Sequence, residues 1–305
     1  MAIFDAHCDV LMKLWLNKYL SFNQDPALHV TYKEMKQTGA KVQLFAIYIP
    51  EGVPCEHRFD VALEMIHLFY TKVLIKPKMK LVRSKKDLDQ LKEDEIGAIL
   101  TLEGCDAIGH SLIRLQTLLR LGVKSIGLTW NYSNDVADGI LEERGAGLSS
   151  FGKEVVNENN KEKVWTDVSH LSVKGFWDVM DHANYVIASH SNVYRLCSNP
   201  RNLNDDQIRA IIKKNGVMGI TFVPEFLNVT GEASLKDVLN HIEYICALGG
   251  ECHMGFGSDF DGIDKTVYGL HSYRNYEQLI NELDKHYSAT QVQGFLYDNF
   301  AKRLP

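Results

Sequence analysis

The stretch Trp165-Thr166-Asp167-Val168-Ser169-His170 is followed by an amphipathic segment at 172–183 and then by Tyr185-Val186-Ile187-Ala188-Ser189-His190. Two short runs rich in β-branched and apolar residues, joined by one helical pattern, make a strand–helix–strand step of a parallel sheet. The alternation continues in both directions. Eight such runs read as strands, at 3–8, 42–49, 96–103, 125–129, 165–170, 185–190, 216–221 and 253–259. Helical patterns at 58–73, 110–121, 172–183, 205–214, 235–248, 276–287 and 288–295 lie between or after most of them. Eight parallel strands with helices outside predict an α/β fold, a closed (β/α)8 barrel of the TIM type. The segment 131–163 is longer than a simple connection and carries glycine-rich turns at Ala137-Asp138-Gly139 and Gly145-Ala146-Gly147. It is read as an insertion bordering the site.

The 305 residues hold seven prolines, no low-complexity stretch and no internal repeat, which predicts a single barrel domain over 1–305. The net charge of −6 is spread along the chain, and no Lys/Arg block reaches five residues. That argues against nucleic acid and anionic membranes as partners. No apolar stretch approaches the roughly 18 to 20 residues of a membrane span, and the first residues lack the basic and apolar regions of a signal peptide. A cytoplasmic location follows as the expectation. The six cysteines are scattered without a CxxC, so most should be buried thiols rather than disulfides.

A barrel gathers the C-terminal ends of its strands onto one face, so the residue that ends each run matters most. The runs end in His7-Cys8-Asp9, Glu103-Gly104, His170, Ser189-His190-Ser191 and Gly257-Ser258-Asp259-Phe260-Asp261-Gly262. Imidazole and carboxylate are the usual zinc donors outside thiolate sites. His7 and Asp9, two apart on a strand, would share a face and could reach one ion. Taken alone, His7 could equally be a core histidine and Asp9 a helix N-cap. Glu103 is the carboxylate best placed to bridge two ions, and its competing reading is a loop cap. His170 and His190 close neighbouring runs twenty residues apart, which would bring both imidazoles to one metal.

Asp259 is read as a carboxylate facing the metals and able to take a proton from a bound water, with a loop cap as the bland alternative. Asp261, before Gly262, is read as a turn former. The spacing here does not fit an EF-hand loop. The other histidines are read as solvated or structural, and the thiols of Cys8 and Cys105 as packing groups. No phosphate-binding glycine loop and no G-x-S-x-G elbow occurs.

These residues resemble the membrane dipeptidase (renal dipeptidase) family of zinc peptidases in its small bacterial cytosolic form. The resemblance runs along nearly the whole chain. It rests on Asp5-Ala6-His7-Cys8-Asp9, Leu102-Glu103-Gly104, Gly147-Leu148-Ser149-Ser150-Phe151-Gly152, Asp167-Val168-Ser169-His170, Ser189-His190-Ser191, Arg201-Asn202-Leu203 and the Gly255 to Gly262 motif. It implies an amidohydrolase-like barrel with two zinc ions, His7 and Asp9 on one, His170 and His190 on the other, and Glu103 between them. It also implies hydrolysis of free dipeptides, often with a D-residue at the C-terminal position, by a hydroxide bridging the metals. Asp259 would be the acid/base group that also meets the substrate amine, and Arg201 would bind the substrate carboxylate. A homodimer is a further implication.

One departure concerns the strand at 125–129. Better-known members carry a histidine just after it, thought to support the oxyanion, and here Trp130 stands at that place, so that the substrate is less fixed than the metals. Indole offers one donor and no positive charge. Asn131, Tyr132 or a zinc ion would take the role, or turnover would be slow; the plainer reading has Trp130 packing the barrel mouth. The alternatives to a dipeptidase are a binuclear amidohydrolase acting on acylated amino acids, lactones or cyclic amides, and a non-catalytic metal-binding barrel.

Overall fold

A computed structural model describes residues 1–305, and nine strands form one parallel sheet. In chain order they are β1 (Ile3–Asp5), β2 (Ala40–Tyr48), β3 (Met79–Leu81), β4 (Ile96–Glu103), β5 (Val123–Gly127), β6 (Trp165–Asp167), β7 (Val186–Ala188), β8 (Val217–Ile220) and β9 (Met254–Phe256). Eight of them run round in the order β2-β1-β9-β8-β7-β6-β5-β4. β4 then pairs back to β2 from Val42↔Gly97 to Tyr48↔Glu103, which closes the barrel. The eight strands expected from the sequence are these eight. The ninth, β3, was not foreseen: it pairs with the start of β4 at Ile96 to Ala98, while β5 pairs further along at Leu100 to Leu102. Because β2 occupies one edge of β4 throughout, β3 and β5 divide the other.

Residues from six strands, Phe4, Val42, Ile99, Trp165, Ile187 and Val217, pack with Phe300 and Leu304 of the C-terminal segment. Phe300 stacks on Phe4 with ring centroids 5.2 Å apart. These residues sit toward the N-terminal ends of the strands, leaving the C-terminal ends to carry polar groups. A second, larger cluster joins the outer faces of the strands to the helices.

The insertion read at 131–163 is shorter than expected. Residues Ser150–Glu162 form the barrel helix between β5 and β6, started by the Ser149 hydroxyl accepting the Gly152 N–H. The helical pattern was hard to see because its buried face, Phe151, Gly152, Val155, Val156 and Asn159, contains only three apolar side chains. The irregular part is confined to 131–149, where Asp138 accepts the Ala146 N–H and pairs with Arg144. All six cysteines are free, and three, Cys8, Cys105 and Cys197, are buried, fewer than expected. No helix is long and apolar enough to cross a membrane.

Candidate metal centre at the barrel mouth

His7, Asp9, Glu103, His170, His190 and Asp259, which come from the ends of β1, β4, β6, β7 and β9, converge on one point. His7 Nε2 lies 3.3 Å from Asp9 Oδ2, 3.5 Å from Glu103 Oε2 and 3.8 Å from Asp259 Oδ1. The other Glu103 oxygen, Oε1, lies 3.0 Å from His170 Nε2 and 3.6 Å from His190 Nε2. Glu103 therefore offers one oxygen to the His7–Asp9 side and the other to the two remaining histidines. Donor atoms about 2.0–2.2 Å from a tetrahedral zinc stand roughly 3.3–3.6 Å from one another, which matches most of these separations.

His7 and Asp9 meet by a route different from the one the alternation rule supplies. β1 stops at Asp5, so both residues lie in irregular chain beyond the strand. Asp9 does occupy the N-cap position of the helix Val10–Leu16, yet its side chain makes no capping bond. Its carboxylate is turned to His7 instead, which removes the N-cap reading.

The donor set fits a cation. His170 Nδ1 lies 2.8 Å from Asn131 Oδ1, so it carries the proton and its Nε2 presents a lone pair. That lone pair faces His190 Nε2 at 2.8 Å, whose own Nδ1 is held by Ser189 Oγ at 2.8 Å. Such outer partners fix tautomer and ring orientation in metal-binding histidines. His7 Nε2 and Asp9 Oδ1 are buried with no hydrogen-bond partner. Buried polar atoms left without partners are costly, and a shared divalent cation that takes the place of the ring proton removes that cost. Gly262 completes the cradle: a Cβ there would stand 2.3 Å from Asp9 Oδ2 and 2.4 Å from Asp259 Oδ1.

Two carboxylates that sequence reasoning missed hold the strand ends together. Asp5 accepts the backbone N–H groups of His7 and Ser258 and the Ser258 hydroxyl, lashing the end of β1 to the end of β9. Asp167 accepts the N–H groups of Ser169 and Ser189 and does the same for β6 and β7. Their place two or three residues before a histidine was the available signal. His170 and Asp259 themselves take left-handed backbone conformations, with φ of 68° and 63°. Such conformations cost of order 1–3 kcal/mol each and persist where the surroundings impose them. Asp261 accepts the His29 and Val30 N–H groups, in keeping with a structural role.

The charges respond to this crowding. Burial opposes charge on His7, but Glu103 and Asp9 outweigh it and hold the imidazole well above its usual range. Burial alone would raise Glu103; His7 and His170 pull it well below the carboxylate range. Burial, with Arg201 nearby, drives His170 down to about 3, and burial with His7 and His170 lowers His190. Asp9 is raised by burial and by Glu103, and Asp259 by burial. Protonated His7 thus supplies positive charge among Glu103, Asp9 and Asp259.

A cavity of about 190 Å³ opens above the cluster, with Tyr48, Trp130, Arg201 and Phe226 in its wall. Arg201 is 7% exposed and lies over the Phe226 ring at 5.4 Å. Its Nε and Nη2 have no hydrogen-bond partner, so a buried guanidinium lines the cavity with free donors, its charge offset only at a distance by Asp259, Glu103 and Asp167. Trp130 packs against Tyr48, with centroids 5.2 Å apart. Asn131 lines the cavity with its carbonyl engaged by His170, whereas Tyr132 is half-exposed and lines a neighbouring one.

A closed barrel with histidines and carboxylates at the C-terminal ends of its strands defines a metal-dependent hydrolase of the amidohydrolase-like class. The family model for membrane dipeptidase, peptidase family M19, matches residues 1–304. The chain belongs to that family and is a metallopeptidase, as the sequence implied. A crystal structure of a metallo peptidase from Rhodobacter sphaeroides, liganded with a phosphinate mimic of L-Ala-D-Ala, is 26% identical with a TM-score of 0.93, covering 100% of this chain and 99% of the other. The structure of the dipeptidase AC of family M19 is 27% identical at the same TM-score, covering 99% and 97%. Dipeptidase aclJ of Aspergillus oryzae is 35% identical over 215 residues, 68% of this chain and 51% of its own length.

Proposed function

We propose that the chain hydrolyses the peptide bond of free dipeptides, using two zinc ions held by His7 and Asp9, by His170 and His190, and by Glu103 between the pairs. The observation that carries the substrate class is Arg201. Buried guanidinium donors left without hydrogen-bond partners are costly, and their planar fork suits a carboxylate. A free dipeptide supplies that carboxylate at one end and an ammonium at the other. Asp259, on the His7–Asp9 side of the cluster, is the group to meet the ammonium.

Bound zinc lowers the pKa of a water and polarises the scissile carbonyl. The chain's own residues do the rest. Arg201 fixes the carboxylate, Asp259 holds the amine and takes and returns the proton passed to the leaving nitrogen, and Asn131 and Ser189 hold the His170 and His190 rings with Nε2 aimed inward. Trp130 and Tyr48 exclude water from one wall. The absence of a disulfide among six cysteines supports a reducing, cytoplasmic setting.

The test is amino-acid release by zinc-loaded protein from matched L,L and L,D dipeptides, with N-acetylated dipeptides as controls. The reading requires cleavage of free dipeptides and little of the acetylated ones. Equal cleavage of both would point to an amidohydrolase that does not read the amine, and silence on all of them would remove the dipeptidase reading.

A further inference from the structure

Trp130 is the one residue that lines both the cavity above the metal cluster, about 190 Å³, and a second cavity of about 290 Å³ beside it. The chain alternates across this boundary. Tyr48 and Asn131 face the first cavity, while their neighbours Ile49 and Tyr132 face the second. Trp130 is therefore the boundary residue, its indole 5.2 Å from the Tyr48 ring and 5.9 Å from that of His170. Its backbone cannot easily shift, because a Cβ at Gly139 would already stand 2.3 Å from the Trp130 carbonyl oxygen, and one at Gly104 3.1 Å from its nitrogen. On the next residue, the Asn131 carbonyl accepts the Leu141 N–H at 2.8 Å.

The order of the strands says which end of a substrate meets this wall. Arg201 follows β7 and Trp130 follows β5, two strands from it, whereas Asp259 follows β9, four strands from β5 round the barrel in either direction. In a dipeptide whose carboxylate is held by Arg201 and whose amine is held by Asp259, the N-terminal side chain leaves its carbon away from Asp259, toward the Trp130 and Tyr48 wall across the mouth. We propose that Trp130 is the specificity-determining residue that limits the size of the substrate's N-terminal side chain, by closing off the adjoining cavity. This rests on the dipeptidase reading above.

Removing the indole would join the two cavities. The second contains Glu51, Arg58 and Asp106, of which Arg58 and Asp106 pair at 3.2 Å. Glu51 is left as the unpaired charge, so a long side chain with a cationic tip should gain more from the opening than an anionic one of similar length.

The experiment compares kcat/KM for X-Ala dipeptides, with X running through Ala, Phe, Trp, Arg and Glu, and for an Ala-X series, in the zinc-loaded wild type and in Trp130→Ala and Trp130→Phe. In the wild type, Trp-Ala should be at least tenfold poorer than Ala-Ala. In Trp130→Ala the ratio of Trp-Ala to Ala-Ala should rise at least tenfold and Arg-Ala should gain more than Glu-Ala, with Trp130→Phe in between. The Ala-X series should shift less than threefold. A wild type indifferent to the size of X in X-Ala would overturn the proposal without any variant having to fold. So would a shift confined to the Ala-X series. Failure of the wild type to cleave any free dipeptide would instead remove the dipeptidase reading, and this proposal with it.

Discussion

The Nε2 atoms of His170 and His190 stand 2.8 Å apart, with Glu103 Oε1 3.0 Å from the first and 3.6 Å from the second. Two imidazole nitrogens and a carboxylate oxygen so close, with the other ring nitrogens held by Asn131 and Ser189, form a donor set that suits a cation. Glu103 is the carboxylate that reaches both sides of the cluster, and the His7 and His190 rings also touch across it with centroids 3.9 Å apart. Substituting Glu103→Ala should therefore reduce zinc below one ion per chain, whereas His190→Ala should lose the ion on its own side and keep most of the other. Elemental analysis after gel filtration separates the two patterns.

Asn131 is an orienting residue on the same grounds. Removing an outer hydrogen-bond partner of a ligand commonly costs 10–100-fold in metal affinity. Asn131→Ala should show a loss of that size in zinc titration against a competing chelator, with a melting temperature close to that of the parent. Unchanged affinity would mean that the His170 ring is held by its packing alone.

Arg201 sets function against stability. A buried, unpaired guanidinium disfavours the ligand-free fold, and burial already pulls its pKa down to about 10. Arg201→Met should raise the melting temperature of the ligand-free protein while lowering kcat/KM for free dipeptides by roughly 10²-fold or more, chiefly through KM. A variant that loses stability would show that the guanidinium has structural work in the resting protein.

Metal loading should release protons. Glu103 and Asp9 hold His7 well above its ordinary value, so at pH 7 the metal-free protein carries a proton there that zinc must displace. Zinc affinity should consequently fall as pH drops, and at pH 7 calorimetry in buffers of differing ionisation heat should report about one proton or more released per chain. An enthalpy independent of the buffer would contradict a protonated His7.

Gly262 is required by the carboxylates beside it. A methyl group 2.3 Å from Asp9 Oδ2 and 2.4 Å from Asp259 Oδ1 must displace one of them, and a shift of about 1 Å can cost 10²-fold in rate. Gly262→Ala should lose kcat by about that factor. Full activity would mean that neither carboxylate needs its observed position.

Much of this centre is legible in the sequence because metal chemistry restricts residue type and a barrel restricts place. Glu103, His170, His190 and Asp259 could be picked out as polar residues at the ends of apolar runs. His7 and Asp9 were found by a rule of alternation that does not apply where they sit, since β1 has already ended. What stayed hidden depends on contacts between distant segments. β3 is three residues long with Lys80 exposed, and nothing local distinguishes it from a loop. Asp5 and Asp167 look like ordinary strand residues until their partners on β9 and β7 are known. The partition made by Trp130 is a relation between two cavities that a linear pattern does not contain.

The most direct measurement is the stepwise return of dipeptidase activity as metal-free protein is titrated with zinc. A paired site with Glu103 at its centre predicts that activity climbs until two ions are bound per chain and stops there, and that the chelated protein is inactive. Full activity with one ion bound, or activity that survives chelation, would contradict it.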